Sequence, residues 1–185
     1  KHFFSYRYDY REEWLRFTEG LASVGQNQEE TIIQLMANIS LSRAGLLLRR
    51  GVNNTLSEVT AWEMRVPRKL ELQGLSDWLT TSGWVIDIPE WRTVPELYKE
   101  LELPDWIAEQ QDLWLIIPLF FQNELEGILF LSKTELKSSL NWEDRDLLKT
   151  AGRQAAALLA QQRASLALVE AHQFDAFNRL SAYVI

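Results

Sequence analysis

The sequence contains no cysteine. Disulfides, thiolate nucleophiles and cysteine-ligated metals are therefore excluded. The absence also suits a reducing cytoplasm. Histidine is nearly missing, with only His2 and His172. Basic residues are in deficit: 19 Lys and Arg stand against 26 Asp and Glu, a formal net charge of −7. Binding nucleic acid needs a surplus of Lys and Arg on some face. Arg65, Arg68 and Lys69 form too small a cluster for that, so no nucleic-acid partner is expected. No apolar run approaches the roughly 20 residues that a membrane span requires. The longest, Leu113 to Phe121, has the length of a strand. No signal peptide is visible. The start on Lys1 and the apolar end at Val184-Ile185 are expected to be cuts through a longer chain.

What is present is enough for one buried core, since 46% of 185 residues are hydrophobic. Phe3 to Ala22 reads as a helix with Trp14, Leu15, Phe17 and Leu21 near one face. Gln28 to Ile39 reads as a second, with Ile32, Ile33, Leu35, Met36 and Ile39 at helical spacing. Ala44 to Arg49, a turn at Gly51-Val52-Asn53-Asn54, and Leu56 to Met64 predict a hairpin. Leu70 to Thr80 predicts a helix, and Gly83 to Ile88 a strand closed by Pro89. Glu90 to Gln111 is irregular, with a short helix expected at Glu96 to Leu101. Leu113 to Phe121, the turn Gln122-Asn123-Glu124 and Leu125 to Ser132 give the strongest hairpin signal. Pro118 marks the first of these strands as an edge or a bulge.

The last third is one long helix. Asn141 is its expected N-cap, with Glu143 and Asp144 in the first turn. No proline follows, and Gly152 is the only glycine up to Ser181. About 40 helical residues span about 60 Å, too long to lie within one compact domain. Ala155, Leu159, Gln162, Leu166, Val169, Gln173, Ala176, Leu180 and Tyr183 alternate at spacings of four and three. That is the seam of a two-stranded coiled coil, and it implies a homodimer. Gln162, Gln173 and Gly152 would soften the coil enough to allow two arrangements. The alternative is a helix packed on its own domain.

This α+β order, with Ile117-Pro118-Leu119 followed by Gly127-Ile128-Leu129-Phe130-Leu131, resembles the GAF domain. The resemblance covers residues 24 to about 162. It implies a PAS-like central antiparallel sheet of about five or six strands flanked by helices, with a long C-terminal helix. Lys1 to Phe4 with Tyr8 to Phe17, and Phe174 to Ile185, are similar to the PrsK-type histidine kinases of PEP-CTERM systems. The implied division is an N-terminal signalling helix at 1–22, a GAF domain at 23–162 and a coiled-coil output helix at 163–185. A phosphoacceptor domain would follow. The implied setting is the cytoplasmic part of an inner-membrane-anchored bacterial kinase that acts through a response regulator on exopolysaccharide production. Such a fragment is a sensor and dimeriser, not an enzyme.

His172 lacks the adjacent carboxylate of a phosphoacceptor and reads as a solvated helix residue. With both histidines outside the sheet region, a His-ligated haem is not expected. A thioether-linked bilin needs cysteine, and no cofactor is expected. Six of the eight tryptophans, Trp62, Trp78, Trp84, Trp91, Trp106 and Trp114, fall in the sheet region and its insert. They are the candidate lining of a small-ligand pocket. Otherwise they fill the core, or serve a dimer interface. Asp87, Glu90, Asp105, Glu109 and Asp112 show no acid/base spacing and read as a solvated rim. A GAF domain of another signalling enzyme, or a dimerisation scaffold with a filled pocket, remains open on these residues.

Overall fold

The computed structural model describes residues 7–22, 28–72, 74–133 and 140–183. Five antiparallel strands form one sheet: β1 (Gly45–Arg50), β2 (Leu56–Trp62), β3 (Ile86–Asp87), β4 (Leu113–Phe121) and β5 (Glu124–Ser132), in the order β2-β1-β5-β4-β3. Helices α1 (Arg7–Ala22), α2 (Gln28–Ser40) and α6 (Trp142–Tyr183) cover one face. The chain between β2 and β4 covers the other, with α3 (Leu75–Ser82), α4 (Ile88–Thr93), a 3-10 turn (Pro95–Leu97) and α5 (Asp105–Ala108).

Strand alternation sorts the core into two layers. Leu47, Leu129, Leu131, Leu115 and Ile117 meet the helices, together with Ile33, Met36, Leu148, Ala155 and Leu159. Leu46, Leu48, Ile128, Phe130 and Ile116 meet the insert, together with Leu75, Leu79, Ile88 and Ile107.

The turn of the β4–β5 hairpin holds Gln122 at φ 49° and Asn123 at φ 65°. Two left-handed residues between the paired Phe121 and Glu124 match the twist of the flanking strands. Two irregularities shape this pair. Between Leu113 and Leu115 the register slips, which places Trp114 on the helix face. Between Leu119 and Phe120 it slips again, and Glu126 falls where Leu125 and Gly127 take the partners on either side. An extra residue of this kind re-aims its side chain.

Three predicted elements differ. The strand expected at Gly83 to Ile88 is reduced to Ile86–Asp87. Pro89 does not close it but sits in the first turn of α4, where a missing amide costs nothing. Asp87 caps that helix by accepting from the Glu90 amide at 3.2 Å. The helix expected from Leu70 starts at Leu75, after Gly74 in the left-handed region at φ 80°. The helix expected at Glu96 to Leu101 is the 3-10 turn Pro95–Leu97.

α6 runs for 42 residues. Its start is closed reciprocally: Asn141 Oδ1 accepts from the Asp144 amide at 2.8 Å, and Asp144 Oδ2 from the Asn141 amide at 3.0 Å. Gly152 lies where α6 packs on the sheet. A Cβ there would meet Leu119 Cδ2 at 3.1 Å and the Pro118 carbonyl at 3.3 Å, so glycine lets α6 approach β4 closely.

Candidate functional site

Two polar constellations tie α6 to the domain, and neither stood out in the sequence. The first lies at the helix start. Arg145 donates from NH1 to the Val85 carbonyl, and from NH2 to Glu90 Oε1 at 3.0 Å and to the Tyr98 hydroxyl at 3.0 Å. The buried Tyr98 hydroxyl donates to Glu90 Oε1 at 3.0 Å and accepts from the Asp87 amide at 3.0 Å. The guanidinium also lies over Trp84, 5.5 Å from the ring centroid. Strand β3, helix α4 and the turn after it are thereby held to the first turn of α6.

Burial raises the Tyr98 hydroxyl above its ordinary pKa. Burial also raises the Asp87 carboxyl, against the backbone hydrogen bond from Glu90. A carboxyl raised on folding contributes stability below its unfolded pKa and loses it as pH climbs through the folded value. Ionised Asp87 is thus a cost at neutral pH. Asparagine caps as well as aspartate and carries no charge. Asp87→Asn is expected to raise the urea midpoint at pH 7, by an amount that shrinks toward pH 4. A loss of stability at pH 7 would show that the charge is needed.

The second constellation lies where α6 leaves the sheet. Arg49 of β1, 3% exposed, donates to Glu29 Oε1 at 2.5 Å, Gln162 Oε1 at 2.6 Å and the Leu159 carbonyl at 3.1 Å. Glu126, 1% exposed, takes a two-pronged bond from Arg163, at 2.8 and 3.3 Å. Consecutive residues of α6 thus grip two buried charges on two adjacent strands. Past this point every described α6 side chain is exposed.

The predicted seam is divided by this clamp. Ala155 and Leu159 are fully buried against the domain's own sheet, and Gln162 is a partner of Arg49. These three positions do not face a second helix, because the sheet reaches them first. Leu166 (48% exposed), Val169 (52%) and Leu180 (66%) lie on the same stripe beyond the sheet, with Gln173 and Ala176 between them. The side chain of Tyr183 lies outside the described residues.

The six tryptophans do not line one cavity. Trp62 and Trp114 pack on the helix face. Trp78, Trp91 and Trp106 pack on the insert face, where each indole N–H donates to a backbone carbonyl: Lys99 at 2.8 Å, Leu101 at 3.2 Å and Glu71 at 2.8 Å. They staple the insert's loops. Trp106 meets Phe130 edge-on at 5.2 Å, inside the space between sheet and insert. Trp84 is 42% exposed and meets Tyr98 at 6.0 Å.

Of the predicted acidic rim, Asp105, Glu109 and Asp112 are exposed. Asp87 and Glu90 are instead parts of the Arg145 cluster, because the short β3 and the capped α4 turn them inward. His172 lies on exposed α6, and His2 lies outside the described residues. Among the described residues no cluster of three or more His, Cys, Asp or Glu side chains is placed to hold a metal ion. No described helix is long and apolar enough to cross a membrane.

The same architecture occurs in solved structures. The GAF domain of a phosphoenolpyruvate-protein phosphotransferase from Coxiella burnetii superposes with a TM-score of 0.60 at 16% identity, over 85% of this chain and 96% of that one. The fold is that of a GAF domain. The GAF domain of the potassium sensor histidine kinase KdpD from Escherichia coli matches with a TM-score of 0.53 at 18% identity, over 86% and 98% of the two chains. The chromophore-binding domain of Stigmatella aurantiaca phytochrome P1 matches with a TM-score of 0.56 at 12% identity, over 84% of this chain and 61% of that one. No family model matches the sequence, and no curated protein does.

Proposed function

We propose that this GAF domain is a non-catalytic sensory and dimerising module of a two-component histidine kinase, passing its state to the kinase core through α6. The observation that carries the reading is the continuity of one α6 stripe. Leu148, Ala155 and Leu159 bury it in the core, and Leu166, Val169 and Leu180 present it to solvent beyond the clamp. Exposed apolar residues at coil spacing over four turns suit a second copy of the same helix. A rotation at the clamp would then reach the far end of a rigid rod. Sensor-kinase and phytochrome domains among the structural neighbours support the signalling class. The finer reading, a PrsK-like kinase anchored in the inner membrane, addressing a response regulator and governing exopolysaccharide, rests on sequence resemblance at 1–17 and 174–185.

Sedimentation of the chain at rising concentration is expected to show a monomer–dimer equilibrium. Leu166→Glu with Val169→Glu should shift it to monomer and leave the melting temperature unchanged at dilutions where the unaltered chain is also monomeric, since both side chains are outside the core. A dimer that survives the double variant would move the interface elsewhere. The kinase part has a separate check. The native sequence after Ile185 should present a histidine followed by an acidic residue within about ten positions, as the family resemblance implies; the helical rise makes that under 15 Å of further chain. Another continuation would leave the dimer standing and remove the kinase.

A second reading has its own support. The space between sheet and insert is filled by Phe130, Ile116, Ile128 and Tyr98, all buried. That favours a scaffold whose interior takes no ligand.

A further inference from the structure

The filled interior directs attention to the outside of the insert. Between α3 and the 3-10 turn lies an open groove of about 730 Å³. Drug-sized sites run roughly from 300 to 1,000 Å³. Its apolar walls are the indoles of Trp78 and Trp84 with the side chain of Leu97. These rings and the buried Tyr98 form one aromatic group, with centroids 6.1 Å apart for Trp78–Tyr98 and 6.0 Å for Trp84–Tyr98.

The charges around the groove are of mostly one sign. Asp77, Glu96 and Glu100 line it against a single Lys99. All three carboxylates are exposed, and among the described residues none is engaged in an ion pair or a side-chain hydrogen bond. Three carboxylates nearer the core are, by contrast, ion-paired: Glu90 with Arg145, Glu126 with Arg163, Glu29 with Arg49. Indole faces are negative, and a cation over such a face gains most when carboxylates surround it. Trp84 already accepts one cation, Arg145.

From this juxtaposition we propose that the groove binds a small organic cation with an apolar body, of the alkylammonium or quaternary ammonium type. The indoles of Trp78 and Trp84 take the apolar body and the onium carbons. Asp77, Glu96 and Glu100 supply the counter-charge. Anions are disfavoured by the same carboxylates, and an uncharged apolar ligand forgoes their attraction. Trp84 both lines the groove and lies under Arg145, so occupancy touches a side chain that the first turn of α6 also uses. That consequence rests on the sensory reading; the groove itself does not.

The test uses the 185-residue chain and three probes: benzyltrimethylammonium, choline, and choline's neutral isostere 3,3-dimethylbutan-1-ol. The indole N–H signals are followed by two-dimensional NMR at constant ionic strength, with Trp78→Phe and Trp84→Phe assigning their own peaks. Both cations are expected to shift the Trp78 and Trp84 signals saturably, with millimolar affinity, while the isostere does not. Trp84→Leu, and separately Asp77→Asn with Glu96→Gln and Glu100→Gln, should each weaken binding about fivefold to thirtyfold. The triple variant alters only exposed side chains, so it keeps the test valid if Trp84→Leu misfolds. Equal shifts from the isostere, shifts that survive both variants, or no saturation by about 100 mM cation, far above the ordinary range for a specific site, would each overturn the proposal. None of these readouts depends on a downstream kinase, so the signalling reading stands or falls separately.

Discussion

Arg163→Met is expected to cost the domain about 3–5 kcal/mol, the usual penalty for stranding a buried charge. Glu126 is the reason. Its side chain is 2% exposed, and Arg163 supplies both of its hydrogen bonds. Methionine keeps the aliphatic stem of Arg163 but leaves the carboxylate without a donor. The reverse change, Glu126→Leu, should cost less, because Arg163 is 24% exposed and can turn its guanidinium to water. With both replaced, most of the loss should be recovered, since an apolar pair of similar volume is often as stable as a buried ion pair. Urea denaturation of the four proteins gives the coupling directly. If the two single losses simply add, the pair is not a unit and the exit clamp is misdescribed. The cost should also persist in high salt, because a buried pair is poorly screened.

Arg145→Met should produce the second large effect, about 2–3 kcal/mol, from the loss of charge-assisted hydrogen bonds in a partly buried site. Its side chain is 18% exposed and that of Glu90 22%, so the figure lies below that for Arg163. The distinguishing result is regional. Amide exchange should quicken in β3, α4 and the first turn of α6, which Arg145 joins, while β1 and β2 keep their protection. Arg145→Lys keeps the charge but not the planar fork that reaches Val85, Glu90 and Tyr98 together. It should fall between the other two. Uniform loosening of the whole sheet would count against a local latch.

What the sequence made legible follows from the range of the forces involved. Both hairpins are local, and their alternation and turn residues sit within a few positions of each other. The Asn141 cap is equally local and holds as expected. Pro89 was misread because a proline after a short apolar run can end a strand or begin a helix. Asp87 before it and Glu90 after it are the cap signature that decides between them. Trp62 could have been assigned correctly: Val59 and Ala61 alternate to the insert face, which leaves Trp62 on the other. Trp114 could not, since a slip in register put it there. The clamp was out of reach for another reason. Arg49 and Gln162 lie 113 residues apart, and Glu126 and Arg163 lie 37 apart. The only signal in the sequence is an Arg and a Glu at positions where strands are otherwise apolar. Over Ala155 and Leu159 the expected seam is core packing instead, because a heptad stripe looks the same whether a sheet or a helix covers it.

Strand β4 has a further consequence. Among the described residues β3 pairs only with Leu115 and Ile116, and no strand neighbours the outer margin of β4 from Ile117 to Phe121. An unpaired margin of apolar residues is a template on which other chains can crystallise into fibrils. Pro118 interrupts it by offering no amide, and Lys149 and Arg153 of α6 line a separate cleft together with Pro118 and Phe120. An incoming strand would meet a missing donor and two like charges. The molecule thereby discourages polymerisation through its sheet, and a dimer formed through α6, as proposed above, would leave that guarded margin untouched.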